Sequence, residues 1–207
     1  MAEHYYTDIP LSKIDIFTIK PFIRNRQYQF KTCSGVFCYK KLDKGTKLLL
    51  KNMQIPENAS HVLDMGTGYG IIGIVVATEF PHINVKMIDI NRRAVWIARE
   101  NLKLNNISNA KIYWGDFYDP IKKEKGKFDV ILINPPLALG HKKNFQFILN
   151  TPNFLKTNGY LYLVVRTRQG AKKISEKMND TFGNVELLKI HGGYRLYRSQ
   201  KKPNQKI

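Results

Sequence analysis

The chain has 207 residues, a length that suits one domain or one domain with a small appendage. Because 43% of its residues are hydrophobic, it can bury a substantial core, which excludes a disordered or low-complexity protein. Its 34 Lys and Arg against 16 Asp and Glu give a formal net charge of +18 at pH 7. A surface this basic favours nucleic acid as a partner over the alternative that the charge only keeps the protein soluble.

The cysteines and the apolar runs predict a soluble, cytoplasmic protein. Cys33 and Cys38 are the two cysteines, which excludes a four-cysteine zinc site and a disulfide framework and suits a reducing compartment. No apolar run approaches the roughly 20 residues of a membrane helix, and residues 1–17 lack the basic-then-apolar order of a secretory signal. These two features predict no membrane association. His141 has no partner at metal-ligand spacing, so we also predict no metal site.

Residues 1–57 are predicted to form a small unit ahead of the main domain. Alternating apolar residues flank a polar turn at 24–26, which predicts a β-hairpin over residues 12–33. Pro21 lies in its first strand and argues for an edge strand or a bulge, because proline cannot donate to a sheet. The stretch that follows is predicted to end in a helix.

From residue 58 to residue 200 the pattern alternates between strands and helices. Strands are predicted at 61–65, 85–90, 111–114, 128–133, 160–165, 185–190 and 194–198. Helices are predicted at 71–80, 93–104 and 171–182, with a further one between 143 and 156 that Pro152 interrupts. Repeated strand–helix units require a parallel sheet, and the Gly192-Gly193 turn indicates that it ends antiparallel. We therefore predict an α/β fold with a seven-stranded, Rossmann-like sheet, followed by a basic tail at 201–207.

The glycine-rich segment Asp64-Met65-Gly66-Thr67-Gly68-Tyr69-Gly70 follows the first of these strands and opens a helix. Residues 68–73 match the dinucleotide pattern GxGxxG, with Asp89 near the distance expected for a ribose contact. A carboxylate at Asp64, facing the mouth of the loop, would however repel a pyrophosphate and attract an ammonium group. S-adenosylmethionine carries an ammonium and no phosphate, so the segment favours this cofactor over NAD. A structural turn with a capping aspartate is the remaining alternative.

The Asp-x-Gly-x-Gly-x-Gly pattern after a strand resembles the first motif of class I S-adenosylmethionine-dependent methyltransferases. Asp89 ends the second strand, where its carboxylate can accept both ribose hydroxyls or, alternatively, cap the next helix. Asp116 follows the third strand and could accept from the adenine amino group, with the Phe117 N–H meeting the ring, although a plain loop aspartate is an alternative. The resemblance implies cofactor contacts at Asp64, Gly66, Thr67, Gly68, Gly70, Asp89, Ile90, Asp116, Phe117 and Asn134.

The fourth strand ends in Asn134-Pro135-Pro136-Leu137. Two prolines stiffen the turn and remove two N–H donors, so the Asn134 amide and the Pro135 carbonyl remain as acceptors and are the candidate catalytic groups. They can hold an exocyclic NH₂ group, orient its lone pair and disperse developing positive charge, whereas a merely rigid turn is the alternative. The corner resembles the Asn-Pro-Pro-aromatic motif of methyltransferases that modify planar amino groups. Leu137 replaces the aromatic residue, which favours guanine N2 over adenine N6 or a glutamine amide.

Residues 4–199 as a whole resemble the small methyltransferase (MTS) domain of 16S ribosomal RNA guanine-N2 methyltransferases, and more narrowly its stand-alone archaeal form. Besides the two motifs above, the segments that carry the resemblance are 4–6, 34–37, 43–49, 165–171 and 182–185. The resemblance implies a target base in structured RNA, ribosomal RNA or the small ribosomal subunit, and the base must be unpaired or flipped out. It also implies that the segment after the hairpin, within residues 1–57, covers the cofactor. Phe37 and Thr46 would then lie near the cofactor or the base, although Phe37 could equally be a core residue.

Further substrate contacts are predicted on both sides of this corner. Pro136 and Leu137 belong to it, and Arg166 and Arg168 follow the fifth strand at the ligand-binding edge, where solvated charges are the alternative. Three other functions stay open: a methyltransferase acting on tRNA, adenine N6 or a protein glutamine; a non-catalytic RNA-binding module; and an NAD-dependent oxidoreductase. The intact acidic residues and the Asn-Pro-Pro corner argue against the last two.

Overall fold

The computed structural model of the chain describes residues 13–135 and 140–203, and of residues 140–144 it describes the backbone alone. The strands are β1 (Ile16–Ile19), β2 (Phe22–Ile23), β3 (Arg26–Gln27), β4 (Phe30–Cys33), β5 (His61–Met65), β6 (Asn84–Asp89), β7 (Ala110–Trp114), β8 (Phe128–Ile133), β9 (Leu155–Arg166), β10 (Glu186–His191) and β11 (Tyr194–Gln200). The helices are α1 (Lys44–Asn52), α2 (Ile71–Glu79), α3 (Arg92–Leu104), α4 (Gly140–Phe154) and α5 (Ala171–Phe182), with a short 3₁₀ helix at Asp119–Ile121. No helix in the described part of the chain combines the length and the apolar character needed to cross a membrane.

Seven strands form the main sheet, in the order β7–β6–β5–β8–β9–β11–β10. The strands from β7 to β9 run parallel, and β11 pairs antiparallel with both β9 and β10. Gly192 and Gly193, both at positive φ, turn the chain between β10 and β11. The predicted α/β fold, with a seven-stranded sheet and an antiparallel last strand, is confirmed.

The predicted N-terminal hairpin is present and is interrupted once. β1 pairs antiparallel with β4, and β2 pairs with β3 at the tip. Arg24 and Asn25 connect β2 to β3 with φ of 48° and 63°, the left-handed backbone that a tight two-residue turn requires. Pro21 lies between β1 and β2, and its carbonyl accepts a hydrogen bond from the Tyr28 N–H (3.0 Å). Because proline has no N–H to continue the ladder, it divides the hairpin into two short sheets.

Strand alternation divides the core between the two faces of the main sheet. In β8, Val130 and Leu132 pack with the buried residues of α1, α2 and α3, whereas Ile131 and Ile133 pack with those of α4 and α5. The N-terminal hairpin joins the first of these two clusters. The sheet thus has helices on both faces. Because β5, β6, β7 and β8 run parallel, their carboxyl ends meet at one edge of the sheet.

Two elements differ from their predictions by more than a shift of one or two residues at an end. α4 is not interrupted: it continues through Pro152 to Phe154, because a proline in the last turn removes a single intrahelical hydrogen bond. β9 begins at Leu155 rather than at residue 160. A bulge opposite β8 allows this earlier start, since Leu155 pairs with Phe128 and the register then shifts before Tyr160 resumes the pairing.

Asn101 of α3 joins the hairpin to the glycine-rich loop. Its side chain is fully buried, and its Oδ1 accepts a hydrogen bond from the Lys31 N–H (2.7 Å). Its Nδ2 donates to the carbonyls of Lys31 (2.7 Å) and Tyr69 (2.8 Å). Phe30 of β4 packs edge-on against the Tyr69 ring, with 5.8 Å between the ring centroids. The hairpin is thus attached to the loop that the sequence predicts to bind the cofactor.

We predict that Asn101→Ala lowers the free energy of unfolding by about 3 kcal/mol, because a buried side chain is truncated and three backbone groups, two at Lys31 and one at Tyr69, lose their partner. Urea denaturation followed by circular dichroism measures the change. Asn179→Ala on the exposed side of α5 is the matched control and should change the stability by less than about 0.5 kcal/mol. An Asn101 variant as stable as this control would contradict the structural role of the side chain.

Candidate active site

A cavity opens at the carboxyl ends of β5, β6, β7 and β8, the edge at which open α/β sheets bind ligands. The residues predicted from the sequence that line it are Phe37, Gly66, Gly68, Asp89, Ile90, Asp116, Phe117, Asn134 and Pro135. The rest of the lining is Val36, Met65, Ile88, Ala94, Gly115, Ile133 and Phe147. The sequence did not reveal this second group, because an apolar residue that lines a cavity has the same pattern as one in the core.

The glycine-rich loop leaves open space beside its backbone. Gly66 and Gly68 adopt φ of 72° and 58°, and a Cβ added at either position would meet no atom within 4 Å. The N–H groups of Gly66 and Thr67 donate to the Ile88 carbonyl (2.9 and 3.0 Å), which joins the loop to the end of β6. Side chains at the two glycines would strain the backbone and occupy this space, so the loop is shaped for close approach of a ligand.

Asp64 lies beneath the loop, and its carboxylate does not face the mouth as expected from the sequence. The alternation of β5 turns it, like Val62, toward α2, where its Oδ2 accepts hydrogen bonds from the Thr67 hydroxyl and the Gly73 N–H (2.8 Å). Among the described residues its Oδ1 has no hydrogen-bond partner. Burial raises the pKa of Asp64 to about 7. Asp64 holds the loop in shape, and neither it nor Thr67 nor Gly70 is among the residues lining the cavity.

Asp89 ends β6, and backbone N–H groups hold its carboxylate at the cavity wall. Its Oδ2 accepts from the Gly68 N–H (2.7 Å) and its Oδ1 from the Asn91 N–H (2.9 Å). Burial raises the pKa of Asp89 to about 6, against the lowering effect of these hydrogen bonds. Asn91 caps α3, because its Oδ1 accepts from the N–H groups of Arg93 and Ala94. The alternative that Asp89 is the cap of this helix is therefore wrong.

The segment after β7 forms the end of the cavity wall. Asp116 is exposed there, and Phe117 adopts a left-handed φ of 41°. The Phe117 ring lies against that of Phe147 in α4, with 5.7 Å between the centroids. Together with Ile88 and Ile90 these rings make an apolar wall with a carboxylate at its outer end. Such a wall suits a planar heteroaromatic ring that carries an amino group.

Asn134 directly follows β8 and continues its alternation, so its side chain turns toward α1. Its Nδ2 donates to Asp43 Oδ2 (2.9 Å) and to Thr46 Oγ1 (2.8 Å). An ionised carboxylate can only accept, so the amide nitrogen must face Asp43, and the amide oxygen is left for the cavity that Asn134 lines. The orientation of the Asn134 amide is therefore set by the beginning of α1.

Asp43 is the centre of this network. It is buried and caps α1, where its Oδ2 also accepts from the Thr46 N–H (2.8 Å), while its Oδ1 accepts from the Tyr194 hydroxyl (2.9 Å). Arg166 Nε donates to the same hydroxyl oxygen (2.8 Å), and this hydrogen bond raises the pKa of Arg166. Neither Asp43 nor Tyr194 was predicted as a site residue. The spacing of Asp43 and Thr46 is a helix N-cap signal that could have revealed Asp43, whereas no local pattern marks Tyr194.

Of the residues predicted to bind the substrate, the structure places one at the cavity and two outside it. Arg166 and Arg168 are exposed at and beyond the end of β9, and neither is among the residues lining the cavity. Arg166 nevertheless joins the Asn134 network through Tyr194 and Asp43. Phe37 lines the cavity, whereas Pro136 and Leu137 lie outside the described residues.

Comparison with known proteins identifies the family. The family model described as "Methyltransferase small domain" matches residues 27–198. The chain belongs to the methyltransferase small-domain family. It is 35% identical over 201 residues to the uncharacterized protein YbxB of Bacillus subtilis (strain 168), covering 97% of this chain and 100% of that protein. It is 32% identical over 181 residues to ribosomal RNA small subunit methyltransferase C of Aliivibrio fischeri (strain MJ11), covering 86% of this chain and 51% of that protein.

A solved structure shares the fold. The 16S rRNA N2 methyltransferase RsmC of T. thermophilus, in complex with AdoMet and guanosine, superposes with a TM-score of 0.81 at 24% identity, covering 93% of this chain and 52% of that chain. The Rossmann-like methyltransferase fold is thus confirmed. The chain spans about half the length of the ribosomal RNA methyltransferases it matches. The relative matched over its full length is bacterial, so the narrower resemblance to archaeal stand-alone proteins stays a prediction.

S-adenosylmethionine is the cofactor of this family of methyltransferases, and the residues of the cavity fit it. The open space at Gly66 and Gly68 admits a ligand against the backbone, and Asp89 presents carboxylate oxygens that can accept from hydroxyl groups. Among the described residues that line the cavity none is Lys or Arg, the side chains that would compensate a pyrophosphate. This donor set suits a cofactor without phosphates better than NAD.

We predict that the affinity for S-adenosylmethionine falls as the pH is lowered through about 6. Above this pH the Asp89 carboxylate is ionised, with acceptor capacity left for a ligand hydroxyl; below it, the carboxyl is protonated and part of that capacity is lost. Isothermal titration calorimetry between about pH 5 and pH 8 measures the dependence.

Asp89→Asn is the matched control, because asparagine does not titrate: binding should be weaker than in the wild type above about pH 6, where the wild-type carboxylate is ionised, and the decline near pH 6 should disappear. Any contribution of Asp64, whose pKa is about 7, would persist in this variant and is thereby separated. A wild-type affinity that stays constant over the whole range would contradict the role of Asp89.

Proposed function

We propose that the protein transfers a methyl group from S-adenosylmethionine to an exocyclic amine of a base in RNA, with guanine N2 of 16S ribosomal RNA as the target. The observation that carries the proposal is the placement of Asn134. It lines the same cavity as Asp89 and Gly68, and its amide nitrogen is held by Asp43 and Thr46. An acceptor of fixed orientation thus stands at the cofactor cavity, where a planar amine must be presented for methyl transfer.

Methyl transfer to an amine requires the protein to position the amine and to stabilise the positive charge that develops on it. S-adenosylmethionine supplies a methyl group on a positively charged sulfonium, which a weak nucleophile can attack in line. The Asn134 Oδ1 and the Pro135 carbonyl accept hydrogen bonds from the two N–H groups of the target amine and so turn its nitrogen lone pair toward the cavity. As the amine gains the methyl group and a positive charge, the same two oxygens stabilise it, and the methylated amine then releases one proton to water.

Three features support an RNA base as the acceptor. The net charge of +18 favours a polyanion, and Arg166 and Arg168 are exposed near the Asn134 network, where they can contact phosphates. Ribosomal RNA small subunit methyltransferases C of several bacteria are among the relatives of the chain. Leu137, in place of an aromatic residue after Asn-Pro-Pro, favours guanine N2 over adenine N6. The target base must be unpaired or flipped out to reach the corner.

Incubation with labelled S-adenosylmethionine and either total RNA or isolated small ribosomal subunits, followed by nucleoside analysis, tests the proposal. We expect label in N2-methylguanosine with the wild type and about 100-fold less with Asn134→Ala, since one transition-state contact is lost. Calorimetry should show that the variant still binds the cofactor.

The other outcomes each overturn a part of the proposal. Label in another nucleoside, or in tRNA, would keep the chemistry and overturn the target. Label in a protein glutamine would overturn the RNA substrate. Cofactor binding without any label in RNA, subunits or protein would favour the non-catalytic RNA-binding module.

We predict that Asp43→Asn lowers kcat by about 100-fold with little change in cofactor affinity, because a misplaced catalytic group loses that order of rate. Asparagine replaces one carboxylate oxygen by an NH₂ group, so it cannot accept from Thr46, Asn134 and Tyr194 together. A neutral amide oxygen also accepts more weakly than a carboxylate, so the Asn134 amide is held less firmly even where the asparagine keeps this contact.

Tyr194→Phe is the graded control, because it removes one donor to Asp43 and leaves the helix cap in place. Its kcat should lie between those of the wild type and Asp43→Asn. Urea denaturation shows whether either variant is merely unstable. A folded Asp43→Asn protein with the wild-type kcat would refute the positioning role.

A further inference from the structure

Helix α1 presents a row of lysines to solvent. Lys44, Lys47 and Lys51 are exposed, and their spacings of three and four residues place them on one face. At a rise of 1.5 Å per residue the row is about 10 Å long. The helix contains no acidic residue. Its outer face is therefore a continuous strip of positive charge, which we call the α1 lysine row.

The α1 lysine row lacks the ion pairs that other cations of the protein make. Such pairs join Lys86 to Glu124, Lys156 to Asp129 (2.8 Å) and Arg198 to Glu186 (2.6 Å). Within the part of the chain that the structure describes, no carboxylate lies at ion-pair distance from the three lysines of α1. Their charge is directed to solvent, where it can attract an anion.

A groove separates the α1 lysine row from the tip of the hairpin. Hairpin residues 22–25 line it on one side, and Lys47, Lys51 and Glu79 line it on the other. The side chain of Phe22 is 66% exposed, so an aromatic ring stands in water beside two lysines. An exposed ring flanked by cations is the combination that single-stranded nucleic acid uses, because a base can stack while phosphates are neutralised.

The walls of the groove are joined to each other. Arg24 of the hairpin donates from Nη1 to the Leu50 carbonyl of α1 (3.1 Å) and pairs with Glu79 at 3.7 Å. Glu79 also accepts from the Tyr28 hydroxyl (2.9 Å). The carboxylate of the groove is therefore compensated by Arg24, and the charges of Lys47 and Lys51 are left in excess. The groove is preformed and does not need a ligand to assemble it.

We propose that the α1 lysine row and this groove bind the single-stranded RNA that adjoins the target base, with phosphates on the three lysines and an unpaired base stacked on Phe22. α1 begins next to Asp43, which holds Asn134, so the row starts beside the catalytic corner and leads away from it. Lysines and an aromatic ring do not read base edges, so this surface tolerates any sequence. The inference rests on the proposed function for the RNA substrate and for the place of the target base.

Binding of a fluorescein-labelled oligouridylate, followed by fluorescence anisotropy at a series of KCl concentrations, tests the surface apart from methyl transfer. Lys47→Ala with Lys51→Ala should reduce the slope of log affinity against log salt by about 1.4, since each phosphate contact of a single strand contributes roughly 0.7. Phe22→Ala should weaken binding about tenfold, as the loss of one stacked base does.

Matched controls are available elsewhere on the surface. Lys122→Ala with Lys123→Ala makes the same charge change between β7 and β8, and Ile190→Ala removes an exposed apolar side chain of β10. Thermal unfolding and cofactor affinity should be unchanged in all four variants. Site variants that shift oligouridylate binding no more than their controls would overturn the proposal.

Methyl transfer to RNA separates this inference from the proposed function. We expect a raised KM and an unchanged kcat for the lysine and Phe22 variants. A wild type that methylates RNA, with KM unaltered in these variants, would overturn the surface alone. A wild type that binds oligouridylate through the surface and methylates no RNA would overturn the proposed function and leave the surface standing.

Discussion

The Asp43 carboxylate joins three parts of the chain that the rest of the site depends on. It accepts hydrogen bonds from the first turn of α1, from Asn134 at the end of β8 and from Tyr194 at the start of β11. A buried anion is tolerable because it has several donors and lies at the positive end of a helix. Since α1, β8 and β11 are all packed elements, the direction of the Asn134 amide is a property of the fold rather than of a flexible loop.

Local patterns predicted the sheet and the helices, because alternation, periodicity and turn glycines act over a few residues. The resemblance to methyltransferases contributed most of the predicted residues that line the cavity. Asp43 and Tyr194 are 151 residues apart, and their contact depends on β11 lying between β9 and β10, which no local pattern encodes. The predicted direction of the Asp64 side chain was wrong for a different reason. Alternate residues of a strand share a face, so Asp64 lies on the same face of β5 as Val62, toward α2. The prediction considered the charge of a ligand at the mouth of the loop and left this alternation out.

The hairpin is attached to the glycine-rich loop of the cofactor cavity. Asn101 binds the backbone on both sides, at Lys31 in the hairpin and at Tyr69 in the glycine-rich loop. The chain then passes from β4 through Val36 and Phe37, which line the cavity, before it reaches α1. A change in the hairpin would therefore be transmitted to the cofactor cavity through buried hydrogen bonds. Conversely, the loop is shaped by contacts that lie far from it in sequence.

α1 contributes to both parts of the proposed mechanism, because its cap orients the acceptor and its outer face carries the α1 lysine row. These tasks do not interfere, since the cap is buried and the hydrogen bonds to the Asn134 amide nitrogen come from Asp43 and Thr46 of the chain itself. RNA contacts along the helix therefore need not build the corner; they bring the amine to an acceptor that already has its direction. In such a preorganised site, binding energy from the surface affects how much substrate is bound, and the buried network affects how fast the bound substrate reacts.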